Sequence, residues 1–552
     1  MRRLRQAAWG AAVCMLAAAA IGAWWLAAER DGVSATRRSA GPRPAPDHGL
    51  DASAEARIAA FCGDCHALPR PESFPRDRWH REVRLGYEYY ARSGRNDLDP
   101  PPIWQTLAYY RARAPERLTF ARPPEAQTGF HVHFRVEPLD WDRKPSVEAG
   151  TSCLRWCRLE AEAPPVLLVC DMRDGSITAL DLRQRPAPRR LLARLEHPCR
   201  LEPCDLDGSG QPGLVVADLG SFAAVDHDRG RVVWLRPVPG RPEFRPEVLA
   251  SGFGRVADVR PADVDGDGRL DVIVAEFGHY RTGGIWLLRN MGSSATAAPD
   301  QNRAAPRFSR QRLDVRTGTI HVPVCDLDGD GQPDFLALVS NESESLDAFL
   351  NLGKGRFRRQ LVWQAPDLTF GSSGIELVDL DGDGDLDVLY TNGDAFDNLY
   401  AHPQHGVQWL ENRGELRFVL HRLTDLPGAY RALAADLDGD GDQDILVAAW
   451  LPRQVLPAEL REPSLPSIIC LEQVGRGQFV RHTLESGSPR HPAMEIGDFD
   501  GDGDWDFAVG FNAGLDGAAG PQTPRVAVWW NQTRWPAASQ VPAKKPAGRP
   551  SG

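Results

Sequence analysis

A nine-residue pattern of alternating aspartates and glycines recurs along most of this chain. It constrains the fold more than any other feature. It reads DVDGDGRLD from Asp263, DLDGDGQPD from Asp326, DLDGDGDLD from Asp379, DLDGDGDQD from Asp436 and DFDGDGDWD from Asp498. A weaker copy, DLDGSGQPG, starts at Asp205, and successive copies begin 53 to 63 residues apart. One match could be accidental, but six at near-even spacing require a repeat architecture with one structural unit per match.

Alternating carboxylates on a tight turn converge on one centre, and the intervening glycines permit the backbone angles this needs. Hard oxygen ligands in such number suit Ca²⁺. Positions one, three, five and nine supply the candidate ligands. These are Asp263, Asp265, Asp267 and Asp271, then Asp326, Asp328, Asp330 and Asp334, then Asp379, Asp381, Asp383 and Asp387. The last two copies add Asp436, Asp438, Asp440 and Asp444, and Asp498, Asp500, Asp502 and Asp506. The weak copy offers Asp205, Asp207 and Ser209 but has Gly213 at position nine, so weak binding or none is expected there. Five to six Ca²⁺ ions would offset the net charge of −11. That acidity argues against nucleic acid as a partner.

The first half of each loop is like an EF-hand loop, but no Glu follows at position twelve and the flanks are strand-like. DVIVAEF follows Asp263, DVLYTNG follows Asp379 and DILVAAW follows Asp436, each with two further β runs. With the strand that enters the loop, this makes four strands per unit, the content of a propeller blade. A unit without the loop (TSCLRWCRL, PPVLLVCDM, GSITALDL, RRLLARL) precedes Asp205 and brings the count to seven. The last unit lacks a fourth strand, and GFHVHFRVEPL at 129–139 is expected to supply it and close the ring. The fold class is therefore mainly β, a seven-bladed propeller over 129–533.

At this point residues 130–532 resemble the FG-GAP/VCBS repeat family, whose calcium-binding propellers also occur in integrin α subunits. The resemblance implies fold and calcium. It implies no single function, because propellers host lectins, adhesion modules, lyases and dehydrogenases alike.

A second motif, CGDCH, occupies residues 62–66. Cys-x-x-Cys-His is the attachment pattern of a covalent haem c, with Cys62 and Cys65 as thioether donors and His66 as proximal ligand. Helical patterns surround it: one from Asp51 into the motif, one over DRWHREVRLGYEYYARSG and one over 103–114. Residues 51–125 thus resemble a small cytochrome c domain. Such domains usually supply a distal Met, but the five methionines (1, 15, 172, 291 and 494) all lie elsewhere. His80 is the first candidate for a distal ligand, with His131 and His133 next and an open sixth position as the alternative.

Arg2, Arg3 and Arg5 precede an uncharged run from Ala7 to Ala28. This reads as a signal peptide or an N-terminal membrane anchor over 1–28, and either places the rest on the periplasmic or cell-surface side. A polar linker (29–50) and a polar tail (534–552) complete the chain. In an exported protein cysteines can pair, with Cys157–Cys170 or Cys199–Cys204 as the pairs expected if they do and buried free thiols as the alternative.

No nucleophile elbow, phosphate loop or zinc signature is present. Charged residues shortly before each loop are expected to line an axial funnel: Arg155, Arg200, Glu202, Asp258, Arg260, His321, Glu376, Arg431, His491 and Glu495. They form either an anion site or a set of solvated pairs. Three functions follow. The first is electron transfer with a redox partner, coupled to carbohydrate or protein binding by the propeller. The second is an oxidoreductase that uses the haem as acceptor, with a lyase as a lesser variant. The third is a calcium-dependent adhesion or scaffold module.

Overall fold

The structure is a computed structural model that describes residues 50–533 except 65–66, 127–128, 140–147, 161, 239, 242, 280, 293–305, 342 and 514–522. The leader or anchor, most of the linker, Cys65, His66 and the tail lie outside the described residues.

Seven antiparallel sheets follow one another along the chain. Blade 1 holds β2 (Thr151–Cys157), β3 (Val166–Asp171), β4 (Ser176–Leu180) and β5 (Arg189–Arg194). Blade 2 runs from β6 (Pro198–Cys204) through β7 (Gly213–Asp218) and β8 (Gly230–Arg236) to β9 (Arg245–Phe253), and blade 3 from β10 (Val256–Ala262) through β11 (Asp271–Glu276) and β12 (Gly284–Asn290) to β13 (Phe308–Asp314). In blade 4 the first strand is split into β14 (Thr319–His321) and β15 (Val324–Cys325), followed by β16 (Asp334–Val339), β17 (Ser345–Asn351) and β18 (Phe357–Gln364). The split falls where Pro323 has no N–H to give, and the Val322 N–H donates instead to Asp258 Oδ2 in blade 3 (3.0 Å). Blade 5 comprises β19 (Ser372–Val378), β20 (Asp387–Asn392), β21 (Gly406–Asn412) and β22 (Phe418–Asp425). Blade 6 comprises β23 (Ala429–Ala435), β24 (Asp444–Ala449), β25 (Pro466–Gly475) and β26 (Gln478–Ser486).

Blade 7 has only three sequential strands, β27 (Ala493–Gly497), β28 (Asp506–Gly510) and β29 (Val526–Asn531). Its outer strand is β1 (Phe134–Leu139), antiparallel to β29 in the register Phe134↔Asn531 to Leu139↔Val526. The first strands of successive blades touch in ring order and β27 meets β2, so the ring is closed. The distant strand completes the last blade and ties the two ends of the propeller together through a β-ladder, leaving only the short blade edges of a closed ring.

Second strands read as continuous apolar runs because both faces are covered by neighbouring blades, and β7, β11, β16, β20 and β24 are buried throughout. The closing strand is held by side chains as well as by its ladder. Trp530 is fully buried, its Nε1 donates to Glu137 Oε2 on β1 (3.0 Å), and the Arg185 guanidinium of blade 1 covers its ring at 3.6 Å.

Before the propeller lie three helices, α1 (Ala52–Cys62), α2 (Trp79–Ser93) and α3 (Ile103–Arg113). Asp51 caps α1 by accepting from the Ala54 N–H (2.7 Å), and Gly94 ends α2 at φ 73°, a conformation that favours glycine. Trp79 stacks on Tyr110 of α3 (centroids 4.0 Å apart), and Phe61 packs on Tyr87 and Tyr90 of α2.

Trp530→Ala would empty the joint between β1, blade 7 and blade 1. It is expected to destabilise the chain by about 3–5 kcal/mol, read as a lower urea midpoint.

Candidate functional site

Every Asp loop joins the first strand of a blade to the second, so all six lie at one end of the ring. The position-one carboxylate closes the turn from within. Asp263 accepts from the N–H groups of Gly266 (2.9 Å), Asp267 (3.1 Å) and Gly268 (2.8 Å), Asp326 from those of Gly329 and Gly331, and Asp379 from those of Asp383 and Gly384. Gly382 and Gly384 have φ of 74° and 98°, which no ordinary side chain would accept without strain.

Five groups of three carboxylates bring one oxygen each within 4.8 Å of one another: Asp263, Asp265 and Asp271; Asp326, Asp328 and Asp334; Asp379, Asp381 and Asp387; Asp436, Asp438 and Asp440; and Asp498, Asp500 and Asp502. These loops could hold calcium. Asp267, Asp330, Asp383, Asp444 and Asp506 belong to the same loops without entering those triplets, and Asp267 pairs with Arg269 instead. The weak loop forms no such group among the described residues. Ser209 Oγ donates to Asp205 Oδ1 (3.4 Å), and Arg236 places a guanidinium 2.9 Å from Asp207. A Cβ at Gly213 would meet Trp234 Nε1 at 2.3 Å, so an aspartate cannot stand at position nine there.

Position nine has a further role that sequence reading missed. Asp271, Asp334, Asp387, Asp444 and Asp506 are buried. One oxygen of each accepts from the second residue of its own loop, and the other accepts from the last residues of the third strand. For Asp334 the donors are Leu327 N (3.0 Å) and Asn351 N (2.6 Å), and for Asp506 they are Phe499 N (3.1 Å) and Asn531 N (2.8 Å). The amide at that strand end then reaches the preceding blade. Asn290 Nδ2 donates to Leu206 O (3.3 Å), Asn351 to Val264 O (2.9 Å), Gln473 to Leu380 O (3.3 Å) and Asn531 to Leu437 O (3.3 Å). The only sequence signal was the Asn or Gln that recurs in LLRN, AFLN, LEQ and WWN.

The funnel residues are mostly paired. Glu202 receives Arg155 and Arg260 (2.9 Å each) and Arg200 (3.6 Å). Asp258 is fully buried beside Arg260 (3.1 Å), Arg200 (3.6 Å) and His321 (3.6 Å). Burial would raise its carboxyl, but Arg260 and Arg200 hold it well below the usual range. Burial pushes His321 down to about 4, against the pull of Asp258. Arg431 pairs with Glu376 (2.9 Å). His491 does not join this set, because its Nε2 contacts Glu485 Oε1 on β26 (2.8 Å). An anion site built from these arginines is therefore not what the fold provides, since carboxylates already neutralise them.

A cavity of ≈ 240 Å³ opens on the axis at the other end of the ring from the Asp loops. Its walls come from the starts of first strands and from the loops between second and third strands. Beside Arg155, Arg200, His321, Arg431 and Glu495 it includes residues the sequence reading did not single out: Arg255, Asp394, Asp397, Phe396, Tyr430 and Trp450. Burial, then the charge of Asp397, pushes Asp394 up to about 7. A usable signal was the length of the second-to-third-strand segments of blades 5 and 6, 393–405 and 450–465.

The helices dock on this same end. Ser73 Oγ donates to buried Asp367 Oδ2 (2.7 Å), Phe74 meets Tyr400 and His402 edge-on, and Arg78 donates to Asn398 O (3.2 Å). Phe120 packs on the cluster of Ala395, Ala401 and Leu451, and Glu125 pairs with Arg481 (3.0 Å). Cys62 ends α1 beside the Tyr110 hydroxyl, and burial raises its thiol. His80 is exposed, with Nε2 3.0 Å from Arg111 Nη1. His131 and His133 are exposed where the chain enters β1.

All the described cysteines are free thiols. Cys170 stands opposite Cys153, not Cys157, whose partner is Val166. Cys199 and Cys204 sit near opposite ends of the one extended strand β6, too far apart to bridge. Both expected pairings are thereby corrected.

With this geometry in view, comparison with known proteins gives a limited result. Residues 205–274 and 326–390 match the FG-GAP-like repeat. No curated protein matches the chain. A solved structure described as the crystal structure of BBS1N in complex with ARL6DN, soaked with mercury, is 14% identical with a TM-score of 0.41, covering 72% of this chain and 98% of that one. The matched repeats span blade 2 into blade 3 and blade 4 into blade 5, with an Asp loop in each. No helix among the described residues is long and apolar enough to cross a membrane.

Asn351→Ala would orphan Gly353 N and leave Val264 O with only the 3.3 Å bond from Gly355 N, since the Asn351 side chain holds both groups at 2.9 Å. A loss of about 1–3 kcal/mol is expected in urea denaturation with calcium present.

Proposed function

We propose that this protein is an exported electron-transfer module in which a haem-bearing helical segment is mounted on a calcium-fastened binding propeller. The observation that carries the reading is the docking of the CGDCH-bearing helices on the end of the ring where the axial cavity opens. A redox group placed there would stand beside whatever the cavity or its rim binds.

What supports a covalent haem is the CGDCH motif together with the setting of Cys62, its one haem-binding residue among those described. Cys62 lies at the end of a helix among Tyr87, Tyr110 and Phe61. Ala67, next after the motif, borders a cavity of ≈ 300 Å³ with Arg316 and Arg359 of blade 4. Cys62 and Cys65 would hold the group covalently and His66 would be its proximal ligand. When bound, the haem would supply a one-electron couple. Ligation by His80 would require it to leave Arg111. The chain's own contribution is placement: Ser73, Phe74 and Arg78 fix the helices on blade 5, and the aromatic packing of α1, α2 and α3 leaves Cys62 half-buried. The propeller supports a binding or scaffold role with or without the haem.

A visible spectrum and pyridine haemochrome assay of the purified full chain decide the redox part. One covalent haem is expected, lost in Cys62→Ser. Its absence from protein made in an export-competent host would leave only the scaffold reading. For the fastening ions, EDTA is expected to lower the melting temperature by several degrees and Ca²⁺ to restore it, because the loops form only in the native state. An unchanged melt would remove calcium from the account.

A further inference from the structure

We propose that the axial cavity binds a small hydroxylated carboxylic acid of monosaccharide size, with Arg255 holding the carboxylate and Asp394 and Asp397 accepting hydroxyl groups. This deepens the reading of the propeller as a binding module and does not depend on the haem.

Arg255 carries the argument. It precedes β10, lines the cavity, and is otherwise enclosed by protein. Its Nε is out of reach of water and has no hydrogen-bond partner, and no ion pair reaches it among the described residues. The face of the Phe277 ring lies 5.3 Å away, and the charges of Asp397 and Asp394 act on the guanidinium without forming an ion pair with it. The other axial arginines that line the space, Arg155, Arg200 and Arg431, each have a carboxylate partner. A half-buried guanidinium whose Nε is shut off from water and that has no close carboxylate is costly. An anionic ligand with two acceptor oxygens would relieve that cost, and a carboxylate matches the fork.

The opposite wall limits which anion fits. Asp394 and Asp397 face the same space three residues apart on the 393–405 loop. Asp394 spends one oxygen on the Phe396 N–H (3.0 Å) and keeps acceptor capacity toward the cavity. The Asp394 and Asp397 pair, negative even when Asp394 holds a proton, would repel a phosphate dianion, and a simple amine would leave Arg255 without an acceptor. A monoanion that also offers hydroxyl donors satisfies both walls. Phe396 and Trp450 pack together (4.1 Å), and Tyr430 meets Trp450 edge-on (4.8 Å), giving a rigid aromatic side on which the C–H face of a sugar ring can rest. At ≈ 240 Å³ the space is below the ~300–1,000 Å³ of drug-sized sites, which sets the scale at one ring.

Calorimetry on the calcium-loaded full chain tests this with four probes: glucuronate, glucose, glucosamine and inorganic phosphate. Glucuronate is expected to bind at least tenfold more tightly than the other three. Arg255→Met should abolish that preference, and Asp394→Asn should weaken glucuronate at least fivefold. Retention of the EDTA-sensitive melt shows that each variant is folded. If Arg255→Met fails to fold, Arg255→Lys should still cut glucuronate affinity, since an ammonium cannot reproduce the fork. Equal binding of glucuronate and glucose, preference for glucosamine or phosphate, or no binding of any probe would overturn the proposal. Failure here with an intact haem spectrum sinks the ligand class alone, whereas glucuronate binding without haem sinks the redox reading alone.

Discussion

The carboxylate that ends each full Asp loop has almost no access to water, yet it is where three parts of a blade meet. It binds the loop that precedes it, the start of the strand that follows and the end of the third strand. Burial, with the neighbouring loop carboxylates adding to it, raises Asp271 and Asp387 to about 6, Asp444 to about 7 and Asp506 to about 8. An apolar residue would cost less but could not accept two backbone N–H groups. A cation held by the loop would offset the repulsion, which is why acidic loop and buried brace come as one unit. Without the brace, the amides of Asn351 or Asn531 would not be aimed at the preceding blade. The ring is therefore fastened at its Asp-loop end by amide hydrogen bonds between blades 2 and 3, 3 and 4, 5 and 6, and 6 and 7.

That arrangement leaves the other end free. There blades 5 and 6 hold long segments between their second and third strands, 393–405 and 450–465. Those segments provide both the docking surface for the helices and much of the cavity wall. Structural and binding roles are separated along the axis, a common economy in propellers, where loops on one face vary over a rigid frame.

Much of the fold was legible because it repeats. Six loop copies set the number of blades, and a last unit short by one strand pointed to 129–139 as the closing strand. The helices were legible from their period. The loop ligands could be listed because alternation along a turn implies convergence. The Asn stitch was missed because a single amide at a strand end looks like any loop residue. Its meaning comes only from the preceding blade, 84 to 94 residues away for Asn290, Asn351, Gln473 and Asn531. The funnel list was half useful. It found charges that converge, but their pairing depends on which strands neighbour one another across the axis.

The sequence by itself determined the repeat unit, the acidic loops, the closing strand and the CGDCH motif, since each is written in local spacing that backbone geometry reads directly. Tertiary structure alone decided which cysteines face one another, that the funnel arginines are neutralised, that Arg255 is not, and that the helices sit on the cavity end. Those outcomes depend on packing between residues far apart in the chain, and no local spacing encodes which surfaces will meet.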